Sequence, residues 1–379
     1  MEAGRPTDHR NLNLAKLHRD VIREKAGGKI IWQPRIGCWL QDKRFAGEKL
    51  PEPYEGLTMP GIYRELGCSA RIYEYNSCFK KKDDPQVRNY SRDLSEVLTE
   101  HVVETPAGTV TAVNEKRPSS WFYVQKKRWV KTADDLKVFA WMEERCSWEF
   151  DKEEFQKVKA EWGDLGAPTI FMPRVNVQNL YIDLMGVENA VFALYDFPET
   201  VEYYFQILEE SHERLIEAIN ASPIEIINFG DNVHASTLSF PLFLKYVLPS
   251  YQKRNELLHK AGKFTYAHWD GDTKPLLPFA KETGLDGIEA ITPKPQGDVT
   301  IEEMKEGLGN DLFLIDGIAA ILFNDMFSLE ALEAQAKKII EYFAPKLILG
   351  ISDEISSTGD IERIKFIGRI VDDYNSRLK

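Results

Sequence analysis

Between residues 225 and 354 short apolar runs alternate with amphipathic helical stretches, and few folds accommodate that order. The runs are EIINFGD (225–231), KFTYAHWDG (263–271), LDGIEAI (285–291), LFLIDGI (312–318) and KLILGISDE (346–354), with TIFMPR (169–174) before them. Runs this short and this apolar read as strands buried on both faces. Helices are read between them over 198–219, 241–260, 273–283, 300–307, 328–342 and 359–376. Pro198 near one start and Gly284 just past one end are the expected punctuation. Strand and helix in alternation require a parallel sheet with right-handed crossovers. An open doubly wound sheet would carry a glycine-rich phosphate turn after its first strand, and neither G-x-G-x-x-G nor G-x-x-x-x-G-K-[ST] occurs. The pattern therefore predicts an α/β fold of the (β/α)8 TIM barrel type. A chain of 379 residues suits one such barrel with insertions, taken as a single domain over 1–379.

The first half is less regular. Residues 1–28 read as a helical lead-in ending at Gly27-Gly28, and IIWQPRIGCWL (30–40) as a strand. Residues 41–62 are rich in proline and glycine and read as loop, 60–67 as a short helix, and ARIYEYN (70–76) as a further strand. Residues 100–131 alternate like a β-hairpin insertion, with turns at Thr105-Pro106-Ala107-Gly108 and Pro118-Ser119-Ser120, followed by a helix over 134–145.

Charge excludes one class of partner. The net charge is −12, so the basic footprint of a nucleic-acid-binding protein is missing. The runs Lys80-Lys81-Lys82 and Lys126-Lys127-Arg128 read as solvated hairpin faces, with a docking patch for an acidic protein as the alternative. Four cysteines form no C-x-x-C pair, the N-terminal stretch has no apolar h-region, and no run reaches the ~18 apolar residues of a membrane span. The expectation is a cytoplasmic protein with no membrane contact, and a homodimer as the commonest assembly.

In a barrel, chemistry gathers at the C-terminal ends of the strands. Those ends carry Arg174, then Asp231 with Asn232 and His234, then His268-Trp269-Asp270, then Glu289, Asp316 and Asp353. Carboxylates are seldom buried unless paired or metal-bound. The bland reading of each is a helix cap or turn residue; a whole set at one end reads better as an acidic site. His268 and Asp270 stand two apart and face the same side of a strand. With Asp353 they make a His/Asp/Asp set whose donors suit zinc or a harder divalent ion. The other option is metal-free proton transfer, with two close carboxylates raising one pKa. Asp231, Glu289 and Asp316 are the candidate catalytic residues. Trp39, Arg174, Asn232, His234 and Trp269 are the candidate substrate contacts. The aromatic set Trp32, Trp39, Tyr73 and Tyr75 reads equally as core or as pocket lining.

LMGVENAVFALYDFPETVEYYF (184–205), INFGDNV (227–233), YAHWDGDTKPLLPFAKETGLDGIEA (266–290) and LILGISDEISSTGDIERI (347–364) resemble the uroporphyrinogen decarboxylase superfamily. That group includes the decarboxylase and the zinc-dependent corrinoid methyltransferases. In the methyltransferase branch the zinc ligands are a His-x-Cys segment and a second cysteine. The resemblance places His268, Asp270 and Asp353 at those positions, with aspartate for both cysteines, and matches Asp231 to an acidic position of the branch. It implies a metal-dependent methyltransferase or demethylase acting on a small molecule with a corrinoid carrier protein. The decarboxylase branch holds substrate carboxylates with an Arg-Gln-Ala-Gly-Arg segment. Residues 34–45 lack that segment, Arg35 and Arg44 standing at other spacings. A metal-free carboxy-lyase acting on a tetrapyrrole or another carboxylic acid is the second reading, and a non-catalytic ligand-binding barrel the third.

Overall fold

Parallel pairing organises the chain, of which the computed structural model describes residues 13–378. In order, the strands are β1 (Ile31–Trp32), β2 (Phe79–Lys82), β3 (Arg88–Asp93), β4 (Leu98–Thr105), β5 (Gly108–Arg117), β6 (Ser120–Lys127), β7 (Ser147–Phe150), β8 (Thr169–Met172), β9 (Ile226–Phe229), β10 (Phe264–His268), β11 (Gly287–Glu289), β12 (Phe313–Ala319) and β13 (Leu347–Ser352). Seven of them form one sheet in the order β1-β13-β12-β11-β10-β9-β8, every pair parallel. β9, β10, β11, β12 and β13 are buried along their whole length, which explains their apolar composition.

The sheet curls until its edges are bridged by one short segment. The Ser69 amide donates to the Trp32 carbonyl at 2.9 Å, and the Ala70 amide to the Leu165 carbonyl at 2.8 Å. Ile72 then bridges Pro168 in parallel. Residues 69–72 thus lie between β1 and β8 and tie the two edges together.

Helices cover the outer surface, and their ends follow local chemistry. Thr300 and Glu303 form a capping box on the helix Ile301–Leu308, as do Thr132 and Asp135 on Ala133–Arg145. Pro198 opens the helix Pro198–Asn220, and Gly284 ends Leu277–Thr283 in the left-handed conformation at φ 78°. Inside the curl, Ile31, Ile226, Phe264, Tyr266, Phe313, Ile315 and Ile348 form an apolar floor. The N-terminal helix Leu14–Ile22 seals it from below with Val21 and Ile22. Each such aliphatic or aromatic side chain contributes roughly 1.5–3 kcal/mol on burial.

Several sequence expectations need correction. The strand expected over 30–40 ends at Trp32: Pro34 has no amide to continue the ladder, and Gly37–Phe45 is a helix. The strand expected over 70–76 turns at Tyr73 into a tight helical turn, Tyr73–Cys78. The insertion is larger than a hairpin over 100–131. Strands β3 to β6 make a four-stranded antiparallel sheet from Arg88 to Lys127, packed on the helix Ala133–Arg145 through Val103, Val110, Val138 and Met142. β2, with Lys80, Lys81 and Lys82, pairs with β7 as a separate ribbon. Helical turns between 176 and 196 were not anticipated. Residues 1–12 of the expected lead-in lie outside the described residues. Among the described residues no helix is long and apolar enough to cross a membrane.

Candidate active site

The two-residue period of a strand stacks polar side chains above the apolar floor. On β10, Phe264 and Tyr266 belong to the floor and His268 follows in phase. The same step leads from Ile226 to Asn228, from Gly287 to Glu289, from Ile31 to Gln33 and Arg35, and from Ser69 to Arg71. Asp316 enters by another route. Its backbone has φ 74°, in the left-handed region, which swings the carboxylate toward Arg71. Gly350 makes that possible, because a Cβ there would overlap the Asp316 carboxylate and come within 3.0 Å of the Gln33 carbonyl.

Arg71 is the hub of this layer and is almost fully buried. Its Nη2 donates to Asp316 Oδ1 at 2.7 Å, its Nη1 to Glu289 Oε1, and its Nε to Gln33 Oε1 at 3.1 Å. Glu289 also accepts from Asn228 Nδ2 at 2.6 Å and lies 3.6 Å from Arg35 Nη1. His268 completes the group, with Nδ1 3.3 Å from Glu289 Oε2. Burial disfavours charge on every member. Burial pushes Glu289 up, but Arg71, His268 and Arg35 outweigh it and hold its carboxyl far below the usual range. Asp316 goes the other way: burial and the Glu289 charge push it up to about 6, against Arg71. We assign the fixed negative charge to Glu289, which has three positive neighbours to Asp316's closest one. Burial pulls His268 down, yet Glu289 more than compensates and raises it above the ordinary histidine value.

Above this layer a cavity of about 340 Å³ opens to solvent, walled by Arg35, Phe171, Arg174, Asn232, His268 and Asp353, among others. Phe171 is stacked on Tyr73 with centroids 3.7 Å apart. Arg35 is fixed by Asp353, donating from Nε to its carbonyl at 2.6 Å and from Nη2 to Oδ1 at 2.7 Å. Arg174 donates to Asp183 Oδ1 at 2.9 Å and to Asn232 Oδ1 at 3.2 Å. Backbone strain concentrates around this layer. Among the described residues, four of the five non-glycine residues with positive φ are Asn232, Ala290, Asp316 and Asp353; Asp316 lies within β12, and the others follow the ends of β9, β11 and β13. Such conformations cost on the order of 1–3 kcal/mol and persist where function or packing demands them.

The residues expected from sequence divide into those the fold gathers and those it does not. His268, Glu289, Asp316, Asn232, Arg174, Asp270 and Asp353 surround the cavity or lie just beneath it. Asp231 does not join them. It is fully buried one position out of phase, and its oxygens are taken by the Val175 amide and the Tyr251 hydroxyl, both at 2.8 Å. Trp269 is likewise out of phase and packs edge-on against Phe243 in the core. Trp39 is buried, with its indole N–H donating to the Gly359 carbonyl at 3.1 Å. His234 packs on Gly271 and pairs with the Thr237 hydroxyl at 3.2 Å. Of the aromatic set, Trp32 stacks on Phe323 and Tyr75 packs on Phe155, so only Tyr73 reaches the site. Nor is the site simply acidic: Arg35, Arg71 and Arg174 balance its carboxylates, and Arg71 was not foreseen.

The expected metal triad also fails a test of fit. His268 Nε2 and Asp270 Oδ2 are 3.9 Å apart, but Asp353 is bound to Arg35 and its side chain is 65% exposed. Among the described residues no group of three or more His, Cys, Asp or Glu side chains is placed to hold a metal ion. A divalent ion ~5 Å from the Arg35 guanidinium would meet about 7 kcal/mol of repulsion at an effective dielectric of about 20. These donors do not suit a divalent cation.

No protein-family model and no curated protein sequence matches the chain. Among solved structures, a methyltransferase from Methanosarcina mazei superimposes with a TM-score of 0.57 at 14% identity, covering 94% of this chain and 97% of that one. At that identity the likeness concerns the fold alone. A type I 3-dehydroquinate dehydratase from Clostridium difficile (TM-score 0.33, 12% identity, 60% of this chain and 75% of that one) and a GH18 chitinase from Flavobacterium johnsoniae (TM-score 0.35, 12% identity, 60% and 82%) are too distant to support an argument.

Proposed function

We propose that the chain is a (β/α)8-barrel enzyme, a divergent member of the uroporphyrinogen decarboxylase superfamily, that carries out metal-independent acid–base chemistry of the lyase type on a small molecule. Residues 69–72 act as the second strand of the barrel. The observation that carries the reading is the His268–Glu289 pair. Glu289 sits under the imidazole at 3.3 Å from Nδ1, which leaves Nε2 on the cavity side near Asp270. An imidazole that faces a carboxylate in this way, with its pKa raised by it, is poised to deliver a proton to a bound substrate and to recover one afterwards. Arg71, Gln33 and Asn228 hold Glu289 in place. Arg35 and Arg174 stand at the mouth, each paired with an aspartate, and their fixed N–H groups suit a carbanion-like or enolate-like transition state. The cavity volume, at the lower end of the ~300–1,000 Å³ range of ligand pockets, favours a small substrate over a tetrapyrrole.

Methyl transfer is the second reading, favoured by the fold shared with the Methanosarcina mazei methyltransferase over nearly the whole chain. It would require a carrier such as a corrinoid protein at the cavity mouth. One experiment separates the two. Purified protein with excess chelator is incubated in D2O with a panel of small carboxylic acids, and deuterium incorporation or CO2 release is followed by NMR. Turnover that disappears in His268→Gln supports acid–base chemistry. Turnover that appears only with an added methylated corrinoid replaces it with methyl transfer.

A further inference from the structure

Among the described residues, the buried side-chain atoms near the cavity without a hydrogen-bond partner include two of opposite kind. Arg174 Nε is a buried donor without an acceptor, and Asp270 Oδ1 is a buried acceptor without a donor. The remaining atoms of both groups are occupied. Arg174 Nη1 and Nη2 donate to Asp183 and Asn232, while Asp270 Oδ2 accepts from Asn232 Nδ2 at 3.4 Å and stands 3.9 Å from His268 Nε2. Asn232 therefore links the two groups, its amide oxygen on Arg174 and its amide nitrogen on Asp270. It does so from a backbone at φ 51°, a conformation a non-glycine residue holds only when its surroundings enforce it. The result is a fixed donor and a fixed acceptor, with the His268 ring beside the acceptor.

Leaving a buried polar group unsatisfied costs stability, and more if the group is charged. The Arg174 and Asp270 side chains both remain 29% exposed beside those sealed atoms, so a ligand in the cavity can reach a charged donor and a charged acceptor joined by Asn232. A guanidinium selects a carboxylate. An aspartate oxygen selects a hydroxyl or ammonium hydrogen. We propose that the substrate is a small hydroxy- or amino-carboxylic acid, with its carboxylate on Arg174, its O–H or N–H on Asp270, and the carbon between them presented to His268 Nε2. This rests on the acid–base reading of the site and names the substrate class for it. The 340 Å³ cavity limits the ligand to a small acid, and Phe171 against Tyr73 supplies a flat apolar wall for its carbon chain.

The test compares matched ligands by isothermal titration calorimetry. Glycolate, lactate, 3-hydroxybutyrate, malate, serine and aspartate are each set against the analogue without the hydroxyl or amino group, and against the methyl ester. A site built to pair a substrate hydroxyl discriminates strongly against the analogue lacking it, so at least one member should bind about tenfold or more tighter than its partner. Arg174→Gln should weaken that member about tenfold or more while Arg174→Lys retains part of the binding, because lysine keeps the charge but not the fork. Asp270→Asn should erase the preference for the hydroxyl or amino group. Equal binding of acid and ester, no preference within any pair, or no binding by any member overturns the inference. The acid–base reading fails on different evidence: if His268→Gln leaves turnover intact, catalysis by His268 is refuted while the ligand preferences stand. If turnover depends on His268 but neutral esters bind as well as acids, only the substrate class falls.

Discussion

Replacing Glu289 by glutamine keeps the side-chain volume and removes the charge that acts most strongly on His268. The effect can be worked from the geometry. Across 3.3 Å, at an effective dielectric of about 20, the attraction between Glu289 and a protonated His268 is roughly 5 kcal/mol. Both groups are buried, so solvent screening takes little of it, although desolvation offsets a large part. Without that charge, burial and Arg35 act on the ring against protonation, and of its partners only Asp270, the weakest, still favours it. His268 in Glu289→Gln should therefore titrate below the ordinary histidine value of about 6.5, whereas the wild type titrates above it. The assay is an NMR pH titration of the ring resonances, with His268→Gln to assign them. The stability consequence has a definite sign. A histidine whose folded pKa is raised contributes stability that is complete below about pH 6.5 and is lost as the pH rises through the folded value. Urea unfolding across that window should show the decline in wild type and none from this pair in Glu289→Gln. The variant should also be less stable overall by about 3 kcal/mol, since Arg71 and Arg35 lose a partner. A ring that still titrates above the ordinary value in Glu289→Gln would refute the assignment of Glu289 as the group that sets it.

Three further outcomes follow from the same layer. Arg71→Met strands two buried carboxylates and should destabilise the protein by about 3–5 kcal/mol in urea titration; a change under ~1 kcal/mol would show the carboxylates are not held by Arg71. Gly350→Ala drives a methyl group into the space of the Asp316 carboxylate, and should cost about 1–3 kcal/mol and displace Asp316 from Arg71 in a crystal structure. An unchanged Asp316 position would contradict the packing. Excess EDTA should leave the melting temperature unchanged and excess zinc should not raise it. A structural or catalytic ion at about 100 times its Kd would add ~2.7 kcal/mol, so a clear upward shift would restore the metal triad.

The second half of the chain was legible because strands buried on both faces leave uninterrupted apolar runs, and helices between them show their own period. His268 and Asp270 approach to 3.9 Å, although β10 ends at His268 and Asp270 lies past it. Strand parity, applied more widely, separates the right candidates from the wrong ones. From Ile226 the inward positions are Asn228 and Gly230, which puts Asp231 outside. From Tyr266 they include His268, which puts Trp269 outside. Arg71 was hidden for another reason. Its segment is only a few residues long, turns at Tyr73, and is separated from β8 by the insertion and its ribbon, so no alternation of strand and helix surrounds it. Arg35 sat in a run whose strand ends three residues earlier. The left-handed turn at Asp316 leaves no mark in composition, and only Gly350, on the facing strand, records the space it needs.

The short bridge at 69–72 has a dual occupation, since the stretch that joins the sheet's edges also delivers Arg71 to Glu289 and Asp316. Closure of the sheet and placement of a cation between Glu289 and Asp316 consequently depend on the same few residues. A ring left open at that seam would leave Glu289 and Asp316 facing each other without Arg71, so opening it would cost stability in both places at once.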